Sequence, residues 1–392
     1  MRYLISGYYG EGNLGDEAIL AGIIQALARY DANAEVTVLS FDPADTRRRH
    51  GVGAVSTSLR CPKALLATVA GADLVISGGG SFLHEADFDL YGRSFLFRQG
   101  KLRPIPYFLS VVALARSLGR PVMWYAQGLG PFHTRSARWA VGCAGSLCPV
   151  VTWRDPDSAR LAEQVGLRTP VQRVVPDPAY ALEPAARDIV EDALEERGLS
   201  RRTRYIAVCP RPWLGRAGYQ ARLASAVARV AGKLDLAVVF VPFQPRTDGP
   251  LCDDLRSRPD LADRAWTFTG DDPALVAGVL GRAEMAVTMR LHSGILAAAA
   301  GTPAAPIDYD PKVRAFARQT GQEAWTVTAD ALEEAAGQEA LERALLDTAA
   351  DLIGRRATLR RHVDPLRAEA SATARLAVQV AAAGGLPWSP PR

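Results

Sequence analysis

The stretch Met285-Ala286-Val287-Thr288-Met289-Arg290-Leu291-His292-Ser293-Gly294 decides the fold of this chain. An apolar run of strand length passes directly into the small-residue helix predicted over Ser293–Ala300. Arg290 and His292 stand at that change of structure. Because ligands of open α/β sheets collect at strand carboxyl ends and helix N-termini, the pair indicates a site for an anion that needs a proton. An exposed turn is the alternative interpretation.

The same alternation of short apolar runs and longer helical patterns extends outward from this stretch in both directions. Such alternation predicts parallel sheets covered by helices on both faces. The predicted strands are Tyr3–Ser6, Glu35–Leu39, Asp73–Ser77, Val122–Ala126, Val150–Trp153, Val171–Val175, Tyr205–Cys209, Ala237–Pro242, Ala265–Phe268, Met285–Thr288 and Ala304–Ile307.

The alternation of strand and helix patterns is interrupted once, at Asp177–Pro184, which we interpret as a linker between two domains. We therefore predict two Rossmann-like domains facing a cleft, over residues 1–180 and 185–330. Residues 331–392 are rich in Ala, Leu, Glu and Arg and end in Leu386-Pro387-Trp388-Ser389-Pro390-Pro391-Arg392. They predict C-terminal helices followed by a proline-rich tail.

Composition limits the partners and the compartment. The 392 residues carry 46 basic and 42 acidic side chains, a net charge of +4, so we expect no nucleic-acid partner. The five cysteines form no CxxC pair, which favours a reducing cytoplasm. The first residues lack a signal peptide's apolar core, and no apolar run reaches the ~20 residues of a membrane span. We expect a cytoplasmic protein, at most peripheral to a membrane.

Gly10, Gly12 and Gly15 follow the first strand with the spacing GxGxxG. That spacing raises the possibility of a dinucleotide site. However, Asp16 and Glu17 occupy the helix N-terminus where a pyrophosphate would sit, and they would repel it. We therefore expect no nicotinamide cofactor. Two interpretations of Asp16 remain: it caps the helix, or it accepts a proton from a hydroxyl group.

Two further glycine clusters, Gly78-Gly79-Gly80-Ser81 and Gln127-Gly128-Leu129-Gly130-Pro131, follow predicted strands. Glycine there permits positive φ and a close approach of ligand to backbone. We expect Gly79, Gly80 and Gly128 to line a ligand cleft. Tight turns without a ligand are the alternative.

Cationic side chains follow several strands of both halves. Arg154, Arg211 and Lys312 join Arg290 and His292 along the predicted cleft. Guanidinium groups pair with carboxylate and phosphate in bidentate fashion, so this set suits a ligand that carries both. For any one of them a surface salt bridge is the alternative. No cluster has metal-ligand spacing, and we expect no metal.

These landmarks together resemble the polysaccharide pyruvyl transferases, in particular the bacterial enzymes that add a pyruvate ketal to secondary cell-wall polysaccharide, the polymer of S-layer anchoring. The resemblance implies a GT-B-like fold, with the acceptor on the N-terminal domain and the donor on the C-terminal one. It also implies phosphoenolpyruvate as donor and a lipid-linked sugar containing N-acetylmannosamine as acceptor. The matching segments are Gly7–Glu17, Gly78–Ser81, Gln127–Pro131, Arg154–Ser158, Asp177–Ala179, Arg211–Trp213 and Met289–His292.

Roles follow from this resemblance and from residue chemistry. His292 is the expected general acid, and Arg154, Arg290 and Lys312 are the expected donor anchors, with Arg211 a further candidate. Asp16 is the first candidate for the base on the acceptor hydroxyl, and Glu85 is the second. Two other functions remain open at this point: a GT-B glycosyltransferase that uses a nucleotide sugar, and a non-catalytic protein that binds glycans or anions.

Overall fold

The computed structural model describes residues 1–57, 62–85, 97–98, 101–102, 104–213 and 218–384, which leaves the predicted proline-rich tail outside the described residues. The contacts of the chain group into two compact units. The first unit consists of Met1–Glu11, Ile19–Ala181 and Ala368–Arg392, and the second of Gly12–Ala18 and Leu182–Arg367. Each unit has its own parallel sheet, which confirms the α/β class predicted from the sequence.

The first unit contains nine strands within its described residues: β1 (Arg2–Ser6), β2 (Glu35–Ser40), β3 (Gly53–Ser56), β4 (Leu74–Leu83), β5 (Phe97–Arg98), β6 (Lys101–Leu102), β7 (Val122–Leu129), β8 (Val150–Trp153) and β9 (Val171–Val174). Seven of them form one parallel sheet in the order β3-β2-β1-β4-β7-β8-β9, and β5 and β6 form a separate antiparallel pair. The central strands β4 and β7 are almost wholly buried, as expected for a parallel sheet covered on both faces.

Helices connect these strands, as parallel pairing requires. Those of the first half are α1 (Leu14–Tyr30), α2 (Pro43–His50), α3 (Pro62–Gly71), α4 (Pro104–Ser117), α5 (Arg135–Ser146) and α6 (Pro156–Gln164). Asp155 is the N-cap of α6, its carboxylate accepts from the Ser158 amide, and Pro156 is the first helical residue.

Two glycine clusters lie inside strands, and here the sequence prediction was wrong. Strand β4 continues to Leu83 and β7 to Leu129, so Gly79, Gly80 and Gly128 do not follow strand ends. Gly79 and Gly80 have φ of 61° and 113°, and a Cβ on Gly79 would overlap Ile19 of α1. The missing side chain at Gly79 is therefore needed for the packing of α1 on this strand.

The predicted linker at Asp177–Pro184 is also different in the structure. Pro178–Ala181 forms a 3-10 helix with all four residues buried, and a Cβ on Gly22 would overlap the Pro178 carbonyl. The segment is packed because its apolar side chains, including Tyr180, have a core to enter. The contact boundary, between Ala181 and Leu182, falls inside the predicted segment and directly after its 3-10 helix.

The second unit is built on six parallel strands within its described residues: β10 (Tyr205–Cys209), β11 (Ala237–Phe240), β12 (Ala265–Thr267), β13 (Met285–Thr288), β14 (Ala304–Asp308) and β15 (Val327–Thr328). Their order is β12-β11-β10-β13-β14-β15, so β13 is a central strand between β10 and β14. All four residues of β13 are buried, which explains why its sequence is an unbroken apolar run.

The remaining helices are α7 (Arg187–Glu195), α8 (Gly218–Leu234), α9 (Pro245–Arg256), α10 (Pro273–Arg282), α11 (Leu291–Ala299), α12 (Pro311–Gln319), α13 (Ala335–Ala350) and α14 (Leu352–Ala382), with short 3-10 turns at Glu323–Trp325 and Ala331–Glu333. The long α14 ends in the first unit, where residues 368–382 belong. Among the residues that the structure describes, none of the helices combines the length and the hydropathy of a membrane span.

Candidate functional site

His292 lies in the first turn of α11, immediately beyond the central strand β13. The helix begins at Leu291, two residues before the predicted start, because Ser293 closes the first turn on the Arg290 carbonyl with its amide (3.1 Å) and its hydroxyl (2.6 Å). The first amides of a helix have no partner inside it and attract anions. His292 therefore stands beside amides suited to anion binding.

The imidazole of His292 packs on the backbone of Gly15. Residues 12–18, the start of α1, belong to the second unit, where the Leu14 amide donates to the Phe243 carbonyl (3.0 Å). A Cβ on Gly15 would overlap Nδ1 of His292 and lie 2.8 Å from its Cγ. The third glycine of the GxGxxG spacing thus leaves room for a histidine ring.

Asp16, the other predicted catalytic residue, lies in this same turn. The side chain of Asn13 accepts from the Gly15 amide (3.1 Å) and donates to the Asp16 carboxylate (2.7 Å). Asn13 therefore holds the turn in shape and orients Asp16. The structure brings the ring of His292 against the turn that carries Asp16, and we call this arrangement the histidine turn (Asn13–Asp16 with His292).

Arg290 is tied to a buried carboxylate. Its Nε and Nη2 each lie 2.6 Å from an oxygen of Asp248, and Nη2 also donates to the Gln244 side chain (3.0 Å). Asp248 is fully buried in the first turn of α9 and also accepts from the Gln244 amide (2.9 Å). Since Asp248 compensates the charge of Arg290, the arginine fixes the turn before His292 more directly than it offers an unpaired cation.

Arg211 and Trp213, after β10, surround Tyr309, after β14. Nη1 of Arg211 donates to the Tyr309 hydroxyl (2.7 Å), and its guanidinium carbon lies 4.7 Å from the Tyr309 ring centroid. Trp213 and Tyr309 meet edge to face at 4.8 Å. They help to line a pocket of about 210 Å³, together with Asp308, Asp310, Pro311, Arg314, Thr328, Ala329 and Asp330.

That pocket is acidic, with three aspartates against one arginine among its lining residues. Carboxylates accept hydrogen bonds, and aromatic faces cover apolar surface, so the lining suits a polyhydroxylated ring better than a phosphate.

Lys312 lies apart from these buried pairs, in the first turn of α12. Its side chain is 46% exposed, and Nζ is 3.5 Å from the Asp310 carboxylate. The other oxygen of Asp310 accepts from the Lys312 amide and caps the helix. An exposed pair of this kind contributes little to stability, so the ammonium can exchange Asp310 for a ligand at low cost.

Cys209 ends β10 beside this region and could be mistaken for a nucleophile. Burial raises the pKa of its thiol far above the ordinary range, although a hydrogen bond with Ser293 opposes the shift. The thiol is therefore neutral near neutral pH, and we give it no chemical role.

In the first unit, Arg154 follows β8 and is held on both sides. Nη1 lies 3.5 Å from the buried carboxylate of Asp177, and Nη2 donates to the Ser81 hydroxyl. A Cβ on Gly128 would lie 2.5 Å from Ser81 Oγ and 3.2 Å from Arg154 Nη2. Gly128 is thus the residue that makes room for the Ser81–Arg154 contact.

Glu85 has a structural explanation. Its Oε2 accepts from the amides of His133 (2.6 Å) and Thr134 (2.9 Å), and its Oε1 accepts from the Thr134 hydroxyl (2.8 Å). Thr134 is the N-cap of α5, so the buried Glu85 carboxylate organises the start of that helix. These bonds occupy the oxygens that a general base would need.

Sequence reasoning missed the partners of the predicted cations. Asp248 and Asp177 each follow a predicted strand, as the cations do, but no sequence pattern pairs either aspartate with its arginine. Asn13 and Ser81 carry no charge and gave no comparable signal.

Solved structures with similar coordinates identify the class of fold. Anabaena Alr3699/HepE in complex with UDP and glucose matches with a TM-score of 0.59 at 12% identity, covering 98% of this chain and 100% of that one. The UDP-GlcNAc 2-epimerase from Methanocaldococcus jannaschii matches with a TM-score of 0.58 at 12% identity, covering 88% of this chain and 92% of that one. E. coli ADP-heptose LPS heptosyltransferase II matches with a TM-score of 0.51 at 13% identity, covering 89% of this chain and 100% of that one. At such identities the likeness concerns the fold, which is of the GT-B type.

The sequence profile of the polysaccharide pyruvyl transferases matches residues 13–311. Since this match covers most of the chain, the protein belongs to the polysaccharide pyruvyl transferase family, and it is a transferase. The matched range begins at Asn13 and ends at Pro311, so it includes Asp16, His292 and Arg154. No curated protein sequence matches the chain at a significant level.

Proposed function

We propose that this transferase moves the pyruvyl group of phosphoenolpyruvate onto two hydroxyls of one sugar, forms a ketal and releases phosphate. The observation that carries the proposal is the histidine turn, which pairs an imidazole with a carboxylate-bearing turn beyond the central strand of the second unit. Family membership supplies the reaction class, and the turn supplies groups able to give and take protons.

The proposed chemistry needs one proton donor and one proton acceptor in each half-reaction. His292 protonates C3 of phosphoenolpyruvate, which makes C2 electrophilic, and the first sugar hydroxyl adds to C2 and gives its proton to Asp16. Phosphate then leaves with the proton held by Asp16, and the second hydroxyl adds to the same carbon and gives its proton to His292, which returns both side chains to their starting states. The sum is donor plus diol giving ketal plus phosphate, so neither a redox change nor a nicotinamide is required.

Two cations have separate proposed roles in binding the donor. Lys312, exposed and loosely paired, offers a point charge to phosphate or carboxylate. Arg154 offers a guanidinium fork at the end of β8, held in position by Asp177 and Ser81. Arg290 is proposed as a positioning residue for His292, since Asp248 already holds its guanidinium.

The proposed acceptor is a lipid-linked saccharide that contains N-acetylmannosamine, handled at the cytoplasmic face of the membrane. The pocket around Trp213 and Tyr309 supports a sugar substrate, because its aromatic and carboxylate lining suits hydroxyl groups. The resemblance of the sequence to the cell-wall enzymes supports this choice of sugar.

The test is an assay of phosphate release with phosphoenolpyruvate and diphosphate-linked or lipid-linked disaccharides as acceptors. We expect phosphate release only when both substrates are present, and a product heavier than the acceptor by a ketal-linked pyruvate. Release of a nucleoside diphosphate from a nucleotide sugar, with no phosphate from phosphoenolpyruvate, would instead establish a glycosyltransferase. Activity lost on exhaustive chelation and restored by one metal would contradict the metal-free chemistry.

A further inference from the structure

Helices α3, α4 and α5 lie side by side on one face of the first sheet. They share one apolar core beneath them, to which α3 contributes Leu65, α4 contributes Phe108 and α5 contributes Val141. Their opposite sides face outward, and we call the outward side chains of these three helices the basic layer.

The basic layer carries no negative charge. The three helices contain Lys63, Arg116, Arg135 and Arg138 and no Asp or Glu. The whole chain is nearly balanced, with 46 basic and 42 acidic residues, so this is a local separation of charge. Acidic side chains resume on the next helix, α6, at Asp157 and Glu163.

Two of these arginines stand where helix stability disfavours them. Arg135 is the first residue of α5, and Arg138 is in its first turn. The positive end of the helix dipole lies there and favours acidic side chains. A sequence that breaks this local rule on an exposed surface indicates a function for the charge. The buried Glu85 carboxylate below them opposes the repulsion.

Large apolar side chains stand among these cations. Trp139 is 71% exposed, Leu147 at the end of α5 is 47% exposed, and Leu66 on α3 is 46% exposed. One stripe along α5 is formed by residues at four-residue spacing, namely Arg135, Trp139, Cys143 and Leu147. A single exposed leucine is ordinary, but a tryptophan in such a stripe marks an interaction surface.

We propose that the basic layer binds an anionic lipid bilayer, with Trp139 and Leu147 at the level of the headgroups and the arginines against lipid phosphates. Tryptophan is enriched at membrane interfaces, and basic residues near an anionic leaflet each add attraction. The surface is positive, apolar and formed by the outer sides of packed helices, which suits a broad anionic plane. The inference goes beyond the proposed function and does not depend on it, although membrane contact would bring the protein to a lipid-linked acceptor.

The experiment measures sedimentation of the full chain with vesicles that contain no saccharide. Phosphatidylglycerol–phosphatidylcholine vesicles are compared with phosphatidylcholine alone, at low and at raised salt. We expect binding to the anionic vesicles, weakened by salt, and little binding to the neutral ones. Equal binding to both, or none to either, would overturn the proposal.

Variants locate the binding surface. Arg135→Gln with Arg138→Gln should weaken vesicle binding by roughly tenfold or more, and Trp139→Ala should weaken it several-fold. The matched controls are Arg47→Gln with Arg48→Gln on α2, and Ile353→Ala on α14, whose side chain is 86% exposed. Both controls should bind as the parent does.

Two outcomes count against a bilayer. If the variants bind vesicles as tightly as the parent, the contact lies elsewhere. If Trp139→Ala abolishes a dimer that the parent forms without vesicles, the layer is an interface between copies. Pyruvyl transfer to a water-soluble acceptor should be unchanged in all these variants, so failure of the membrane proposal and failure of the proposed function can be told apart.

Discussion

At the scale of single residues, His292 is the group on which turnover should depend most. Removal of a general acid costs about 10²–10⁴-fold in rate, whereas the loss of one neutral hydrogen bond costs far less. We expect His292→Ala to lower kcat at least ~10²-fold while most donor affinity survives. His292→Gln keeps hydrogen-bonding capacity without a useful proton and should be nearly as inactive. Phosphate release measures the rate; near-native kcat in the Gln variant would make the histidine a positional group.

The two proposed donor anchors should differ in their effect on stability. Replacing Arg154 or Lys312 with Ala should each weaken phosphoenolpyruvate binding by more than ~1.5 kcal/mol, measured by calorimetric titration. Arg154→Ala should also destabilise the fold by about 3–5 kcal/mol, because it leaves the Asp177 carboxylate buried without its cation. Lys312→Ala should change stability by less than about 0.5 kcal/mol, since its pair is exposed. Unchanged donor affinity in both variants would show that the donor site is misplaced.

Glu85 offers a test between a structural and a catalytic carboxylate. Glu85→Ala removes the acceptor of three hydrogen bonds at the start of α5 and should destabilise the fold by about 1.5–3 kcal/mol. With the protein still folded at low temperature, kcat should stay within a few-fold of the parent. A loss of about 10²-fold in kcat without a change in stability would restore Glu85 as a base.

At the scale of elements, the first turn of α1 should be intolerant of a side chain at Gly15. A methyl group there would overlap the imidazole of His292, so Gly15→Ala should displace the ring and lower kcat. The matched control is Gly232→Ala in α8, where a Cβ meets nothing within 4 Å. That control should keep full activity and gain up to about 1 kcal/mol of stability from better helix propensity. Equal activity of the two variants would mean that the contact has no part in the reaction.

The strands also show which elements could be predicted from the sequence and which could not. Buried strands such as β13 were found because a parallel sheet requires unbroken apolar runs. The short, half-exposed strands β3 and β15 were missed, since their sequences have neither that run nor a clear alternation.

The candidate site was only partly predictable, for a related reason. The cations were visible at strand ends, but their buried partners Asp177 and Asp248 depend on tertiary packing. The role of Gly15 was also hidden, because a glycine that makes room for a distant side chain has the same sequence as one that makes a turn.

At the scale of the whole molecule, the first unit depends on the end of the chain. Tyr125 donates to the Ala370 carbonyl (3.4 Å), Arg29 donates to Ser371 (3.0 Å), and Ala374, Ala377 and Val380 are buried. Truncation after Arg367 should therefore expose the first sheet while the second stays folded. Hydrogen exchange should show lost protection in peptides from β1 and β7 but not in those from β10 and β13. Equal protection of both sheets would show that the terminal segment is dispensable.

The cysteines also differ in reactivity, which allows one face of the protein to be labelled. Burial raises the pKa of Cys148, Cys209 and Cys252 far above the ordinary range, whereas Cys143 is exposed on the α5 stripe, four residues from Trp139. Thiol reagents attack thiolates, so among the described cysteines they should label Cys143 selectively. In a Cys61→Ser background, an environment-sensitive fluorophore at Cys143 would act as a built-in reporter, with emission that shifts to the blue when this face of the protein meets a bilayer.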